Sequence, residues 1–153
     1  RFYGPTSTTR TSRTRRYICM KYLLDTNICI YIIKRKPRAV LQKFDRVSVG
    51  DIAVSTITVA ELQFGVEKSQ KPDQNQRALE QFLIPLALVD FDTHAAMTYG
   101  KIRANLQKQG NPIGSLDMLI AAHALSLGLT VVTNNTKEFS RIPNLDVVNW
   151  VDD

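Results

Sequence analysis

The chain has 153 residues, 44% of them hydrophobic and 22% charged, a length and composition typical of one globular domain. Its formal net charge is +6, but five of the 20 basic residues and none of the 14 acidic ones fall in residues 1–19, so the remainder, with 15 basic and 14 acidic residues, is nearly neutral. Two cysteines, Cys19 and Cys29, provide neither a disulfide framework nor a zinc-ligand spacing, and no apolar run approaches the roughly 20 residues that span a bilayer, so we expect a soluble, cytosolic protein without a membrane anchor.

The first segment, residues 1–19, is rich in Thr, Ser and Arg and lacks apolar periodicity. We expect it to be disordered and to lie outside the folded domain, which we assign to residues 20–153. Three interpretations stay open: a leader from a vector or from upstream translation, a basic arm that binds RNA, and a transit peptide.

From Met20 onward, short apolar runs alternate with helical patterns. The strands are predicted at 21–25, 52–56, 86–91, 129–133 and 145–150. The helices are predicted at 27–34, 37–47, 59–68, 76–84, 93–109 and 115–127, the last two stopping at Gly110 and Gly128. Strands separated by helices imply right-handed crossovers, and hence an α/β domain with a mainly parallel sheet of four to five strands covered on both faces.

Four acidic residues each lie at or just after a transition from a strand to a helix: Asp25, Glu61, Asp117 and Glu138. Because ligands of open α/β sheets bind at the carboxyl ends of the strands, these acids are expected at one edge of the sheet. Each also has a purely structural explanation. Asp25 could cap a helix, Glu61 could form a capping box with Thr58, and the other two favour the positive end of a helix dipole.

Convergence of these acids would require a cation. At about 4 Å, each pair of like charges costs about 1 kcal/mol in water and about 4 kcal/mol at an effective dielectric constant of 20. Oxygen ligands without histidine or cysteine favour Mg²⁺ or Mn²⁺ over zinc. Phosphodiester hydrolysis is the chemistry that uses such a cluster, because one or two metal ions can activate water and stabilise the leaving oxygen.

Four local sequences carry a resemblance to a known family: LLDTNICIY (23–31), TVAEL (58–62), NPIGSLDMLIAAHAL (111–125) and VVTNNTKEF (131–139). Together they resemble the PIN-domain ribonucleases, and more narrowly the VapC toxins of bacterial type II toxin–antitoxin modules. The resemblance covers residues 20–153 and implies a three-layer α/β/α domain with Mg²⁺-dependent endoribonuclease activity, Mn²⁺ being a substitute, and tRNA as the substrate class. It also implies a VapB-type antitoxin whose C-terminal segment enters the active-site groove, a homodimer that assembles further with antitoxin, and a bacterial cytoplasmic location.

The resemblance also implies roles for individual residues. Asp25 and Asp117 match the metal-binding acids of the family, and Glu61 matches the helix glutamate that completes the site. Asn27 and Thr133 match polar residues that orient metal-bound water or the ligating carboxylates.

The fourth acidic position departs from the family pattern, since many members have an aspartate where this chain has Asn135. Glu138 could supply that charge, or three acids could suffice. Asn135 is also the feature that leaves open a catalytically degenerate module that binds RNA or protein. A phosphotransferase of the haloacid dehalogenase type is a further alternative, but it needs an aspartate where Asn27 stands.

Several other residues have weaker functional interpretations. Arg103, Lys108 and Lys137 border the acidic edge and are the predicted RNA contacts. The basic run 34–38 is either a phosphate-binding surface or a solvated turn. His123 falls on the apolar face of its helix, so we expect a core residue rather than an acid–base catalyst.

Overall fold

The computed structural model describes residues 20–152, and the expectations for residues 1–19 lie outside this range. Five strands form one sheet in which every neighbouring pair is parallel. They are β1 (Tyr22–Leu24), β2 (Ile52–Ser55), β3 (Ala87–Val89), β4 (Thr130–Val132) and β5 (Val147–Val148). The parallel pairing of these strands confirms the prediction of a parallel α/β domain. Their order across the sheet is β3-β2-β1-β4-β5.

Seven α-helices connect or flank these strands in the described part of the chain. They are α1 (Thr26–Lys34), α2 (Arg38–Arg46), α3 (Thr56–Glu67), α4 (Pro72–Leu83), α5 (Thr93–Lys108), α6 (Ser115–Leu127) and α7 (Thr136–Phe139). A short 3-10 turn, Val49–Asp51, precedes β2.

The sheet separates two apolar cores, because successive strand residues point to opposite faces. Leu23 packs with α5 and α6, whereas the next residue, Leu24, packs with α1, α2, α3 and α4. Strand β2 repeats this alternation, with Ala53 on the first face and Ile52 and Val54 on the second. The domain is therefore a three-layer α/β/α structure, as predicted.

The connections reverse direction at β1. The chain passes from β1 to β2 and β3 on one side, and then crosses back so that β4 pairs with the other side of β1. A reversal of this kind opens a crevice at the carboxyl ends of the two strands, where α/β proteins bind ligands. Asp25 follows β1 and Thr133 follows β4, so both lie at this crevice.

Two helix starts differ from the predictions. Helix α3 begins at Thr56 rather than at 59, and Ser55 caps it, its hydroxyl accepting a hydrogen bond from the Ile57 N–H at 3.1 Å. Glu61 therefore lies in the second helical turn, and the capping-box explanation with Thr58 was wrong. The run of β-branched residues at 56–58 favoured a strand locally, but burial of Thr58 against the rest of the fold outweighs that preference.

Helix α4 begins at Pro72 rather than at 76, and Asp73 also lies in its first turn. Both are helix-start signals, since proline needs no N–H donor there and an acid is favoured by the helix dipole. Pro37 behaves differently from expectation, because it precedes α2 as its cap residue instead of joining the first turn.

Candidate active site

Asp25 is the central acid of the crevice and is 4% exposed. Its Oδ1 accepts a hydrogen bond from the Thr26 N–H at 2.8 Å, which caps α1, and its Oδ2 accepts one from the Thr133 hydroxyl at 2.8 Å. Burial raises the pKa of Asp25, while these two hydrogen bonds oppose the rise. The ends of β1 and β4 are thus joined through a carboxylate that retains free lone pairs on both oxygens.

Glu61 approaches the same place from α3 and is half-buried. Its Oε1 accepts a hydrogen bond from the Thr26 hydroxyl at 2.8 Å. Thr26 thereby touches both acids, because its backbone N–H binds Asp25 and its side chain binds Glu61. The sequence interpretation gave Thr26 no role, although its position directly after Asp25 was the available signal.

Asn135 links the remaining two acids. Its Nδ2 donates hydrogen bonds to Asp117 Oδ2 at 3.1 Å and to Glu138 Oε2 at 2.9 Å. Its backbone N–H donates to the Thr133 hydroxyl at 2.9 Å, the same hydroxyl that binds Asp25. A continuous hydrogen-bonded network therefore runs from the end of β1 to the start of α6 and into α7.

The electrostatics of this network centre on Asp117. Burial, a hydrogen bond with Glu138 and the negative charges of Asp25 and Glu138 raise the pKa of Asp117 to about 7, although the bond from Asn135 opposes the rise. The pKa of Glu138 is lowered by its hydrogen bonds with Asn135 and Asp117. The pair therefore retains a proton to a higher pH than a free carboxyl group would, and Asp117 is the member that holds it.

The carboxylate oxygens in this crevice are the ligand type that a hard divalent cation prefers, but their positions do not form a metal-binding cluster within residues 20–152. Among residues 20–152, no group of three or more His, Cys, Asp or Glu side chains is placed so that it could hold a metal ion. The amide of Asn135 lies between Asp117 and Glu138 and holds them as a pair. A divalent cation would offset the negative charges that, together with burial, raise the pKa of Asp117.

Asn27 and the three predicted RNA contacts take no part in the hydrogen bonds of the network, in contrast to Thr133 and Asn135. Asn27 is exposed on the first turn of α1, and Lys137 is exposed beside Glu138. On α5, Arg103 donates to the Tyr99 hydroxyl at 3.1 Å and Lys108 lies exposed in the last turn. In the described chain, no hydrogen bond or ion pair joins Arg103, Lys108 or Lys137 to the four acids.

One cation near the site had not been predicted. The guanidinium of Arg141 contributes to the lowered pKa of Glu138, and its Nη1 donates to the Pro112 carbonyl at 2.8 Å. Arg141 lies just after α7, in a turn in which its backbone N–H donates to the Glu138 carbonyl at 3.1 Å, and this turn brings the two residues together.

His123 is a buried core residue, as predicted, and the basic run 34–38 is exposed.

A cavity of about 350 Å³ extends from Glu61 between α1, α3 and α4. Its walls are mainly apolar, and Lys34 and Lys68 are among the residues that line it. The aliphatic lining residues are Ile30, Ile33, Leu62, Val66, Ala78 and Leu79. An apolar groove with cationic residues thus opens directly beside one of the acids.

Residues 22–145 match the model of the PIN-domain family. The tRNA(fMet)-specific endonuclease VapC of Shigella flexneri is 45% identical over 131 residues, which cover 86% of this chain and 98% of that relative. Ribonuclease VapC2 of Haemophilus influenzae is 48% identical over 132 residues, which cover 86% of this chain and 99% of that relative. The chain belongs to the VapC group of the PIN-domain family.

Solved structures of the VapC group have the same fold. The VapBC2 complex of Rickettsia felis, bound to a DNA fragment from its promoter, contains a chain with a TM-score of 0.80 and 44% identity, covering 86% of this chain and 99% of that one. The DNA-bound VapBC complex of Salmonella typhimurium contains a chain with a TM-score of 0.81 and 44% identity, and the match covers 86% of this chain and 98% of that one.

Ribonucleases with a PIN domain generally depend on a divalent metal ion. This family property agrees with the oxygen-rich crevice. None of the helices within residues 20–152 is both long enough and apolar enough to cross a membrane.

Proposed function

We propose that this chain is a Mg²⁺-dependent endoribonuclease, the toxin of a VapBC-type toxin–antitoxin module, which hydrolyses phosphodiester bonds in tRNA. The observation that carries the proposal is the network that joins Asp25, Asp117 and Glu138 at the crevice between β1 and β4. The names of relatives 45% and 48% identical to the chain, an endonuclease specific for tRNA(fMet) and a ribonuclease, support the reaction and the substrate class.

Asp25 and Asp117 are the proposed metal ligands, and Glu61 completes the set, with Glu138 as a fourth acid. When bound, Mg²⁺ supplies Lewis-acid activation of water and neutralises charge on the phosphate, and Mn²⁺ can replace it. The protein fixes the direction of Asp25 through the Thr133 hydroxyl and the Thr26 N–H. A bound cation would favour the charged form of Asp117 and so displace its proton.

The polar residues around the acids have supporting roles in this proposal. Thr133 orients Asp25 and, through the backbone of Asn135, the loop that follows β4. Asn135 can turn its amide oxygen towards a cation, which would release Asp117 and Glu138 from its NH₂ group. Asn27 is exposed on the first turn of α1, and its proposed role would be to orient water at a bound cation.

Binding of RNA is assigned to exposed cations that lie outside the acidic network. Arg103 and Lys108 are on α5, and Lys137 is on α7 immediately before Glu138. Removing one of these cations should make the affinity for RNA less dependent on salt, since fewer counterions are then released on binding.

The apolar cavity beside Glu61 is the proposed docking site for the C-terminal segment of a VapB-type antitoxin. Its aliphatic walls suit apolar side chains, and Lys34 and Lys68 suit an acidic flank of the same segment. Assembly into a homodimer and then a toxin–antitoxin complex is supported by the VapBC complexes that this fold resembles. The proposed location is the bacterial cytoplasm, where tRNA is available.

Cleavage of total and initiator tRNA by the purified chain tests the proposal. We expect discrete fragments with Mg²⁺ or Mn²⁺, and no fragments with EDTA or with an identically purified Asp25→Ala variant. Equal behaviour of the parent and the variant, in folded protein free of antitoxin, would reject nuclease activity. That result would favour a non-catalytic binding module, the interpretation to which Asn135 points.

A further inference from the structure

Helix α6 contains a buried ionisable residue that the proposed chemistry does not use. His123 is 1% exposed, and its Nδ1 lies 2.8 Å from the Ser55 hydroxyl oxygen. The ring also makes a hydrogen bond with the backbone of Asp90, and the Phe91 ring packs edge-on at a centroid distance of 5.4 Å. Three segments of the chain therefore meet at this imidazole: α6 itself, Ser55 at the end of β2, and Asp90 with Phe91 after β3.

The direction of each hydrogen bond follows from the donors that are available. The bond to the Asp90 backbone favours the protonated ring, so a carbonyl accepts and the ring nitrogen donates. Burial lowers the pKa of His123 and keeps the imidazole neutral, which leaves Nδ1 as an acceptor. The Ser55 hydroxyl accepts from the Ile57 N–H at 3.1 Å, so its own proton is available for Nδ1. Every polar atom in this chain of bonds then has a partner.

The bond between Ser55 and His123 joins the two helices that bring acids to the crevice. Ser55 caps α3, the helix that presents Glu61 six residues later. His123 lies six residues after Asp117 on α6. Ile57 of α3 also packs against the apolar core that includes Met118 of α6. A hydrogen bond has a defined length and direction, whereas apolar packing tolerates sliding.

We propose that His123 is a positioning residue that, through Ser55, sets the separation between Glu61 and Asp117 and so tunes the affinity of the crevice for a divalent cation. This inference rests on the proposed function, because it concerns the same acids. Residues that orient metal ligands change metal affinity by about 10- to 100-fold when they are lost. His123 acts indirectly, through α3 and α6, so we expect its loss to change metal affinity by an amount at the low end of that range.

Two substitutions separate the hydrogen bond from the volume of the ring. His123→Leu fills the space but cannot accept from Ser55, whereas His123→Asn places an amide oxygen near the position of Nδ1. We expect His123→Leu to weaken Mn²⁺ binding, measured by electron paramagnetic resonance of free Mn²⁺, about tenfold. His123→Asn should recover at least half of that loss on a logarithmic scale.

A matched control distinguishes positioning from general destabilisation. Val40→Ala removes buried volume from α2, in the core on the opposite face of the sheet. At equal loss of melting temperature it should leave Mn²⁺ affinity within twofold of the parent. Ser55→Ala removes the same link from the other side and also the cap of α3, so its loss of Mn²⁺ affinity should be at least as large as that of His123→Leu, which keeps the test valid if one variant fails to fold.

The outcomes also separate this inference from the proposed function. A parent that binds Mn²⁺ but cuts no tRNA would reject the nuclease, while the comparison of variants would still decide the role of His123. Equal Mn²⁺ affinity in the parent, His123→Leu and Ser55→Ala would overturn the positioning role. So would an equal loss in Val40→Ala, or a parent that binds no Mn²⁺ at all.

Discussion

Replacing Asp117 with Asn should stabilise the metal-free protein at high pH and leave it unchanged in acid. Burial and neighbouring charges raise the pKa of Asp117 from 3.8 to about 7, so the folded protein binds more protons than the unfolded chain between those values. The stability of the parent therefore falls as pH rises through that window. Asn cannot ionise, and its carbonyl oxygen still accepts the hydrogen bond from Asn135, so the variant escapes this loss.

The magnitude follows from the size of the shift. A rise of this size, at about 1.4 kcal/mol per pKa unit, corresponds to about 4 kcal/mol if the whole shift is expressed in stability. Asp117 is only half-buried, so solvent screening reduces this effect. We expect the free energy of unfolding of Asp117→Asn to exceed that of the parent by about 1–2 kcal/mol at pH 8. The difference should shrink towards zero near pH 4.

Urea unfolding in EDTA at pH 4.5, 6 and 8 measures this difference, provided that the slope with denaturant is the same for both proteins. Asp73→Asn is the matched control, since it removes an exposed carboxylate from the first turn of α4. Its effect should not vary with pH in the same way. A difference between Asp117→Asn and the parent that stays constant across this range, or a parent that is the more stable protein at pH 8, would refute the reasoning.

Three further expectations concern the same network. Saturating Mg²⁺ should raise the melting temperature, by the equivalent of about 2.7 kcal/mol at 100 times the dissociation constant, and calorimetry of Asp25→Asn should show most of that gain lost; an equal gain in both proteins would mean that Asp25 binds no metal. Asn135→Asp should add a third charge beside Asp117 and Glu138, lowering the melting temperature in EDTA and tightening Mn²⁺ binding, and unchanged values of both would contradict the bridging role of Asn135. Thr133→Val should destabilise the protein by about 1–3 kcal/mol in urea titrations, because the buried Oδ2 of Asp25 loses its donor; a loss no larger than that of an exposed Thr→Val variant would argue against this.

The positions of the strands, their parallel arrangement and the place of Asp25 directly after β1 could be predicted, because they depend on local patterns. Apolar runs gave the five strands, and Asp25 and Asp117 stand at clear transitions into helices. The start of α3 could not be predicted, since residues 56–58 favour a strand by local preference and become helical only in the tertiary context. The location expected for Glu61 was nevertheless unaffected.

The contacts within the site could not be predicted from the sequence. Asp25 and Thr133 are 108 residues apart, and their hydrogen bond requires β1 and β4 to be neighbours in the sheet. The role of Asn135 as a donor to two carboxylates likewise depends on the approach of α6 and α7. Sequence patterns indicate where a side chain lies along the chain, whereas such bonds depend on distances set by packing across layers.

The pairing of β1 with β4 also has a consequence for how the protein is made. Strand β1 leaves the ribosome before β4, and Thr133, the hydrogen-bond partner of Asp25, is synthesised 108 residues later than Asp25. At translation speeds of about 5–20 residues per second, this interval lasts about 5–20 seconds. Throughout it, one edge of β1 has no neighbouring strand and the crevice does not exist. The acidic centre is therefore completed late in translation, so a nascent chain that stops before β4 contains Asp25, Glu61 and Asp117 but has no assembled site.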